Sequence, residues 1–116
     1  MACGAFGAHG LRPWLARATD GAQRLQWWET AAHYQLTHAL ALLGTAWVLA
    51  RVPGRAARLA VGAFALGALV FAGSLYAMSL TNARMLGAVT PVGGLGLLLG
   101  WVALGVAGAR GLPGAR

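Results

Sequence analysis

The residues best suited to chemistry stand close together in the stretch ETAAHYQLTHALALL, residues 29–43. The side chains in it that could do chemistry are those of Glu29, His33, Tyr34, Gln35 and His38. They precede and enter a long apolar run, where such groups are costly unless they find a partner or serve a function. Two histidines in this setting suggest metal or haem ligation, a proton relay or a ligand site.

Helical spacing separates the two histidines. His33 and His38 differ by about 140° around a helix of 3.6 residues per turn, so one helix face cannot offer both to a metal ion. Tyr34 and His38, in contrast, are one turn apart on the same face. We expect His38 to be neutral and to use Tyr34 as its local hydrogen-bond partner. We expect Gln35 to bond to another helix.

Three further motifs place polar or flexible residues in apolar surroundings: GAFGAHG at 4–10, GSLY at 73–76 and TPVGG at 90–94. His9 lies between glycines and is expected on an irregular backbone that lines a cavity or re-enters the membrane. The glycine pair 93–94 allows the close approach of a backbone or a ligand. Together the motifs define nine candidate residues for a ligand site or polar network: His9, Tyr34, Gln35, His38, Ser74, Tyr76, Thr90, Pro91 and Gly93.

Two interpretations of these residues stay open. In the first, they form a structural polar network that fixes helix register. In the second, they bind a small molecule or an ion, relay protons, or ligate haem through His38 with His9. Asp20 and Glu29 are the only acids and both precede the apolar run, so neither a triad nor paired intramembrane carboxylates are available. We therefore expect no enzyme and no resident cofactor.

The composition is that of a membrane protein. Of the 116 residues, 59% are hydrophobic and 9% are charged, whereas soluble domains carry about 25% charged residues. A soluble domain of this size exposes too much surface to conceal so many apolar side chains. All nine basic residues are arginines, which gives a net charge of +7. Because they flank the apolar runs, they favour lipid headgroups over nucleic acid as partners.

Three segments are long enough to cross a bilayer, which requires about 20 apolar residues. They comprise residues 31–50, 59–80 and 85–109. Pro53 and Gly54 end the first, and Pro91 predicts a kink or a broken first turn in the third. Residues 11–30 form an interfacial, partly helical lead-in. The sequence thus predicts one all-α membrane domain with three complete transmembrane helices and an N-terminal stub.

The arginines also predict an orientation. Five of them fall on one side of the predicted bundle: Arg51, Arg55, Arg58, Arg110 and Arg116. The other four fall on the opposite side. Because basic residues favour the cytoplasm, we expect the loop 51–58 and the C-terminus to be cytoplasmic. The spacings Ala63-xxx-Gly67 and Gly96-xxx-Gly100 predict close helix packing inside the bundle.

The order of the motifs resembles one family. GAFGAHGL at 4–11, the stretch 29–43, GSLY and TPVGG are similar to the YgdD/YwdK-type small membrane proteins, the type with domain of unknown function 423. Trp101 falls where the last helix of that family often carries tryptophan. The resemblance covers nearly the whole chain. It implies a compact multi-pass protein of the bacterial inner membrane, usually with four spans and with no established biochemical function.

The resemblance also implies a difference at the N-terminus. The family's first helix precedes and includes the first motif, whereas Met1 stands three residues before Gly4. We therefore expect most of that helix to be absent, or its start to be assigned too late. A helix from a second copy or from a larger membrane complex is expected to cover the open flank. The expected role is a non-enzymatic structural or accessory subunit. The alternatives are ligand binding or transport, and haem or metal binding through His38.

Overall fold

The chain is built from helices, as the composition predicts. The computed structural model describes residues 1–111, and within this range it contains no strand. Arg116 of the predicted orientation lies outside the described residues. The elements in chain order are α1 (Ala2–Phe6), a π-helical turn (Gly7–Leu11), α2 (Arg12–Leu15), α3 (Gly21–Arg51), α4 (Arg55–Thr81), a 3-10 turn (Arg84–Ala88) and α5 (Thr90–Gly111).

Two helical segments are long and apolar enough to cross a bilayer. They are α4 and the segment Arg84–Gly111, both with a mean hydropathy of 1.9. Most of their apolar residues are not packed inside the protein. In the most apolar 18-residue stretch of each segment, only 39% and 28% of the residues are buried. Leu66 and Leu69, for example, are 66% and 70% exposed, as expected for side chains that face lipid. An all-α membrane fold is therefore confirmed.

The first predicted span lies within α3, which is 31 residues long. At 1.5 Å per residue this helix reaches about 46 Å, more than a hydrocarbon core of about 30 Å. By composition, α3 is less apolar than the two segments named above, because the polar side chains from His33 to His38 lower its mean hydropathy. The count of three spans and their limits at 31–50, 59–80 and 85–109 stay predictions.

The turns between the long helices follow their local sequence. α3 ends at Arg51, since Pro53 removes a backbone donor and disfavours helical geometry at the residue before it. α4 ends at Thr81, where Asn82 adopts a left-handed conformation with φ 57° and donates to the Met78 carbonyl at 2.8 Å. These short turns hold the three long helices side by side.

The third apolar segment is broken, as Pro91 predicts. The 3-10 turn ends at Ala88 and α5 begins at Thr90, which leaves Pro91 in the first helical turn, where its missing N–H costs nothing. The Thr90 hydroxyl oxygen lies 3.4 Å from the Leu86 carbonyl oxygen, across the break. Thr90 also meets Ser74, which lies about 10 Å along α4 from its end at Thr81. The break therefore lies beside the apolar part of α4 and not at its end.

The helix α4 lies in the centre and packs extensively against both α3 and α5. At the crossing of α4 with α5, a Cβ added to Gly67 would stand 2.8 Å from the backbone nitrogen of Leu97. One added to Gly96 would stand 3.1 Å from the Cα of Gly67. The small residues spaced by four thus pack inside the bundle, as predicted.

The N-terminal segment of α1, the π-helical turn and α2 lies against α3. The Trp28 indole donates to the carbonyl of Cys3 at 2.7 Å, and Leu11 and Leu15 are buried against Trp28. The backbone at His9 is a π-helical turn between two α-helical segments, and its role in lining a cavity or re-entering the membrane stays a prediction. The His9 side chain itself is exposed.

Candidate functional site

His38 is the most enclosed of the candidate residues that carry an ionisable side chain. It is 5% exposed. Its Nδ1 lies 2.8 Å from the carbonyl oxygen of Tyr34, and its Nε2 lies 3.3 Å from the indole Nε1 of Trp101. An indole nitrogen only donates, so Nε2 must accept and Nδ1 must carry the hydrogen that it donates to the carbonyl. The geometry therefore selects one neutral tautomer, in which both ring nitrogens are used.

The partner of His38 on α3 differs from the expected one. The imidazole bonds to the backbone carbonyl of Tyr34, one turn earlier, rather than to the phenol. The two rings are nearly parallel instead, with centroids 5.9 Å apart and an interplanar angle of 12°. A side chain at position i+4 points back over the preceding turn, so it reaches that carbonyl easily.

Haem or metal ligation through His38 finds no support in this geometry. Ligation requires an imidazole lone pair, and the one on Nε2 accepts the hydrogen of Trp101. His9 is exposed on the π-helical turn and is not among the contacts of His38. Within residues 1–111, no group of three or more His, Cys, Asp or Glu side chains could hold a metal ion.

Aromatic rings extend the His38 contacts to all three long helices. We call Tyr34, His38, Phe64 and Trp101 the His38 cluster. The rings of Phe64 and Trp101 meet edge to face at 5.1 Å, and Phe64 lies 5.8 Å from the imidazole. Phe64 fits there because Gly100 has no side chain; a Cβ at that glycine would come within 2.6 Å of the ring. The cluster therefore joins α3, α4 and α5 at one level.

Gln35 and Tyr76 form a separate polar contact. The Tyr76 hydroxyl donates to the Gln35 side-chain oxygen at 2.6 Å, which joins α4 to α3. Gln35 thus bonds to another helix, as predicted. The ring of Tyr76 also packs on Trp28, with centroids 4.4 Å apart. This contact anchors the N-terminal segment, because the same indole holds the carbonyl of Cys3.

The GSLY and TPVGG motifs meet at a third place. The hydroxyls of Ser74 and Thr90 lie 2.7 Å apart, and Ser74 also donates to the Phe71 carbonyl at 2.9 Å. A Cβ at Gly93 would overlap the backbone of Phe71. The glycine is thus used for the close backbone approach that the sequence predicts. This contact fastens the start of α5 to α4.

The nine candidate residues therefore do not surround one site. Three of them line a common groove: Tyr34, His38 and Pro91. Gln35 and Tyr76 form a pair elsewhere, Ser74 and Thr90 form another, and Gly93 is buried against α4. His9 stands apart from all of them. A ligand role for the full set stays a prediction, whereas a structural contact is visible for each member except Pro91 and His9.

The groove beside His38, which we call the aromatic groove, opens between α3 and α5 and has a volume of about 590 Å³. Its walls are mainly apolar, with lining residues that include Tyr34, Phe71, Pro91, Leu98 and Trp101. Tyr34 is 40% exposed. Its hydroxyl takes part in none of the hydrogen bonds found among the described residues. It is therefore the polar group of this groove that remains available.

A clamp between Arg24 and Ser79 was not foreseen from the sequence. The Arg24 guanidinium donates to the carbonyls of Ser79 and Leu80, each at 2.8 Å, and the Ser79 hydroxyl donates back to the Arg24 carbonyl at 2.7 Å. The positive charge of an arginine near the last carbonyls of a helix also interacts favourably with the partial negative charge at that end of the helix dipole. Ser79, a polar residue near the end of an apolar helix, is the one signal of this contact in the sequence. The local sequence does not indicate its partner, because Arg24 is 55 positions away.

Comparison with known proteins agrees with the geometry of a small membrane bundle. The family model described as "Protein of unknown function (DUF423)" matches residues 3–94. The UPF0382 membrane protein YwdK of Bacillus subtilis is 38% identical over 109 residues, covering 92% of this chain and 84% of YwdK. The UPF0382 inner membrane protein YgdD of Escherichia coli K12 is 38% identical over 116 residues, covering 95% and 80%.

A UPF0382 membrane protein of Haemophilus influenzae is similar to the same degree. It is 38% identical over 104 residues, which cover 90% of this chain and 79% of the relative. No solved structure matches the chain.

Proposed function

Because the chain belongs to the UPF0382 (DUF423) family of membrane proteins of unknown function, we propose that it is a non-enzymatic structural or accessory subunit of a membrane assembly. The supporting observation is the use of His38. Both of its ring nitrogens are bonded within the chain. A general acid or base must instead keep a nitrogen within reach of a substrate proton.

The remaining buried polar groups support the same role. In residues 1–111, every buried side-chain nitrogen or oxygen has a hydrogen-bond partner. Interhelical hydrogen bonds in membranes contribute only about 0.6 kcal/mol on average. Their main effect here is to select one packing of α3, α4 and α5. The buried polar groups thus favour a structural role over a catalytic one.

The connections between helices favour partners that lie in the membrane. Only residues 52–54 join α3 to α4, and residues 82 and 83 join α4 to the 3-10 turn. Such short turns offer little surface to a water-soluble protein. The outward faces of α4 and α5, in contrast, present many exposed leucine and valine side chains. A protein partner would therefore contact the lateral faces of the bundle.

Native-level isolation tests this proposal. The chain, tagged at its chromosomal locus, would be solubilised in mild detergent and sized, and neighbours would be fixed beforehand with a short crosslinker. After the mass of bound detergent is subtracted, we expect a protein mass above the 11.9 kDa of one chain, with one reproducible membrane partner or a fixed copy number. A lone monomer that turns over a small molecule would contradict the proposal.

A second candidate function is the binding of a membrane-soluble ligand in the aromatic groove. The observation that favours it is the free Tyr34 hydroxyl between aromatic walls, since a polar group in hydrocarbon gains from a partner. The ligand would have a planar ring and an oxygen that accepts a hydrogen bond. A short-chain quinone is a suitable probe, with tryptophan fluorescence as the readout. Saturable quenching that weakens in Tyr34→Phe would support this function, and non-saturable quenching would exclude it.

A further inference from the structure

A second groove, which we call the Arg58 groove, runs along the lateral surface between α4 and α5. It has a volume of about 460 Å³ and an almost entirely apolar lining, with Arg58 at one end. Small residues form its floor: Gly62, Ala63, Gly67, Gly93 and Gly96. The floor is low because the two helix backbones touch where Gly67 meets α5. The shape of the groove thus follows from the close packing of α4 against α5.

The length of the Arg58 groove suits one lipid chain. On α4 its lining extends from Arg58 to Val70, a distance of about 18 Å at 1.5 Å per residue. One leaflet supplies about half of a hydrocarbon core of about 30 Å. Arg58 lies in the first turn of α4, at the level where headgroups are expected. The groove therefore runs from that level to approximately the middle of the bilayer.

The charge around Arg58 favours an anionic headgroup. Four of the described arginines lie at this end of the bundle: Arg51, Arg55, Arg58 and Arg110. Their common location follows from the packing of Val48, Ala57 and Ala107 in one cluster. None of the ion pairs among the described residues involves these four arginines.

Both acids of the chain lie at the opposite end. Asp20 is 3.9 Å from Arg24 and from Arg84, and Glu29 is 3.3 Å from Arg12. The arginines near the Arg58 groove therefore have no carboxylate within the described chain to compete with a phosphate. Basic residues next to a groove between transmembrane helices attract anionic lipid headgroups.

A helix from a second, parallel copy fits this groove less well. It would bring the arginine-rich ends of the two chains together, and like charges repel. A lipid instead supplies the opposite charge and an apolar chain in one molecule. We propose that the Arg58 groove binds one anionic phospholipid, with an acyl chain along Gly62, Ala63 and Gly67 and the phosphate at Arg58.

Lipid retention measured by native mass spectrometry tests the site. The purified chain would be equilibrated with equimolar phosphatidylglycerol and phosphatidylcholine and then released from detergent. We expect one retained phosphatidylglycerol, favoured by about fivefold, the factor that corresponds to about 1 kcal/mol for one basic residue at the membrane surface. Arg58→Gln removes this preference, whereas Arg55→Gln, outside the groove lining, keeps most of it. Equal retention of the two lipids would overturn the proposal.

A steric pair of variants separates the groove from general membrane contact. A Cβ at Gly62 and a Cβ at Gly73 both meet open space, with nothing within 4 Å, and both glycines lie on α4. Gly62→Leu fills the groove and is expected to lower phosphatidylglycerol retention at least fivefold. Gly73→Leu leaves the groove open and is expected to retain the lipid. If both variants bind phosphatidylglycerol as the wild type does, the groove is not a lipid site.

Discussion

The indole nitrogen of Trp101 lies 3.3 Å from Nε2 of His38 and donates its hydrogen to it. The two residues are 63 positions apart and belong to α5 and α3. This hydrogen bond passes beside Phe64 of α4, which packs against both rings. One hydrogen bond together with its aromatic surroundings thus connects the outer helices across the central one.

Trp101→Phe is expected to weaken the bundle slightly. The ring contact with Phe64 survives, but His38 Nε2 loses its donor. The loss should be about 0.6 kcal/mol, the average for interhelical hydrogen bonds in membranes, and no more than about 1.7 kcal/mol, the largest value for such bonds. Reversible unfolding in mixed detergent micelles measures it. Trp47→Phe is the matched control, because Trp47 lies near the C-terminal end of α3, is 53% exposed and does not contact His38. Equal stability of the two variants would show that the bond contributes nothing.

The tautomer of His38 is a direct spectroscopic prediction. Nitrogen NMR of the protein labelled at histidine should show Nδ1 protonated and Nε2 unprotonated, since Trp101 can only donate. In Trp101→Phe this preference for the Nδ1-protonated form should weaken. A wild-type spectrum with the hydrogen on Nε2 would contradict the arrangement.

Arg24→Lys is expected to destabilise the junction of α3 and α4. Lysine lacks the planar fork with which Arg24 reaches the carbonyls of Ser79 and Leu80. Hydrogen bonds to charged groups contribute about 1.5–3 kcal/mol each. A double-mutant cycle with Ser79→Ala would give the coupling energy. Arg17→Lys, on an exposed arginine of the same end, serves as the control.

Glycines of α4 should differ sharply in their tolerance of a side chain. Gly67→Leu has no room, because even a Cβ would stand 2.8 Å from the Leu97 backbone. Overpacking of this kind typically costs about 1–3 kcal/mol, and we expect separation of α4 from α5. Gly73→Leu should leave the unfolding free energy nearly unchanged. Crosslinking of cysteines placed on the two helices measures the separation, and equal crosslinking in both variants would refute the predicted crossing.

The sequence anticipates the fold better than it anticipates the site. Apolar runs, Pro53 and Pro91 mark helices and breaks because these signals are local. The one-turn spacing of Tyr34 and His38 likewise places their rings together. The choice of Trp101 as donor to His38 depends on how three helices cross, and no spacing along the chain contains that information. The same holds for the clamp of Arg24 with Ser79.

The close crossing of α4 and α5 also bears on how the chain assembles. These helices are neighbours in sequence, and α4 packs more extensively against α5 than against α3. We expect α4 and α5 to form a hairpin first, with Thr90 already held by Ser74, and α3 to dock afterwards. The contact of His38 with Trp101 then forms at the end of folding. Labelling of cysteines introduced beside these two residues, with His38 and Trp101 kept, should be lost last as the protein folds.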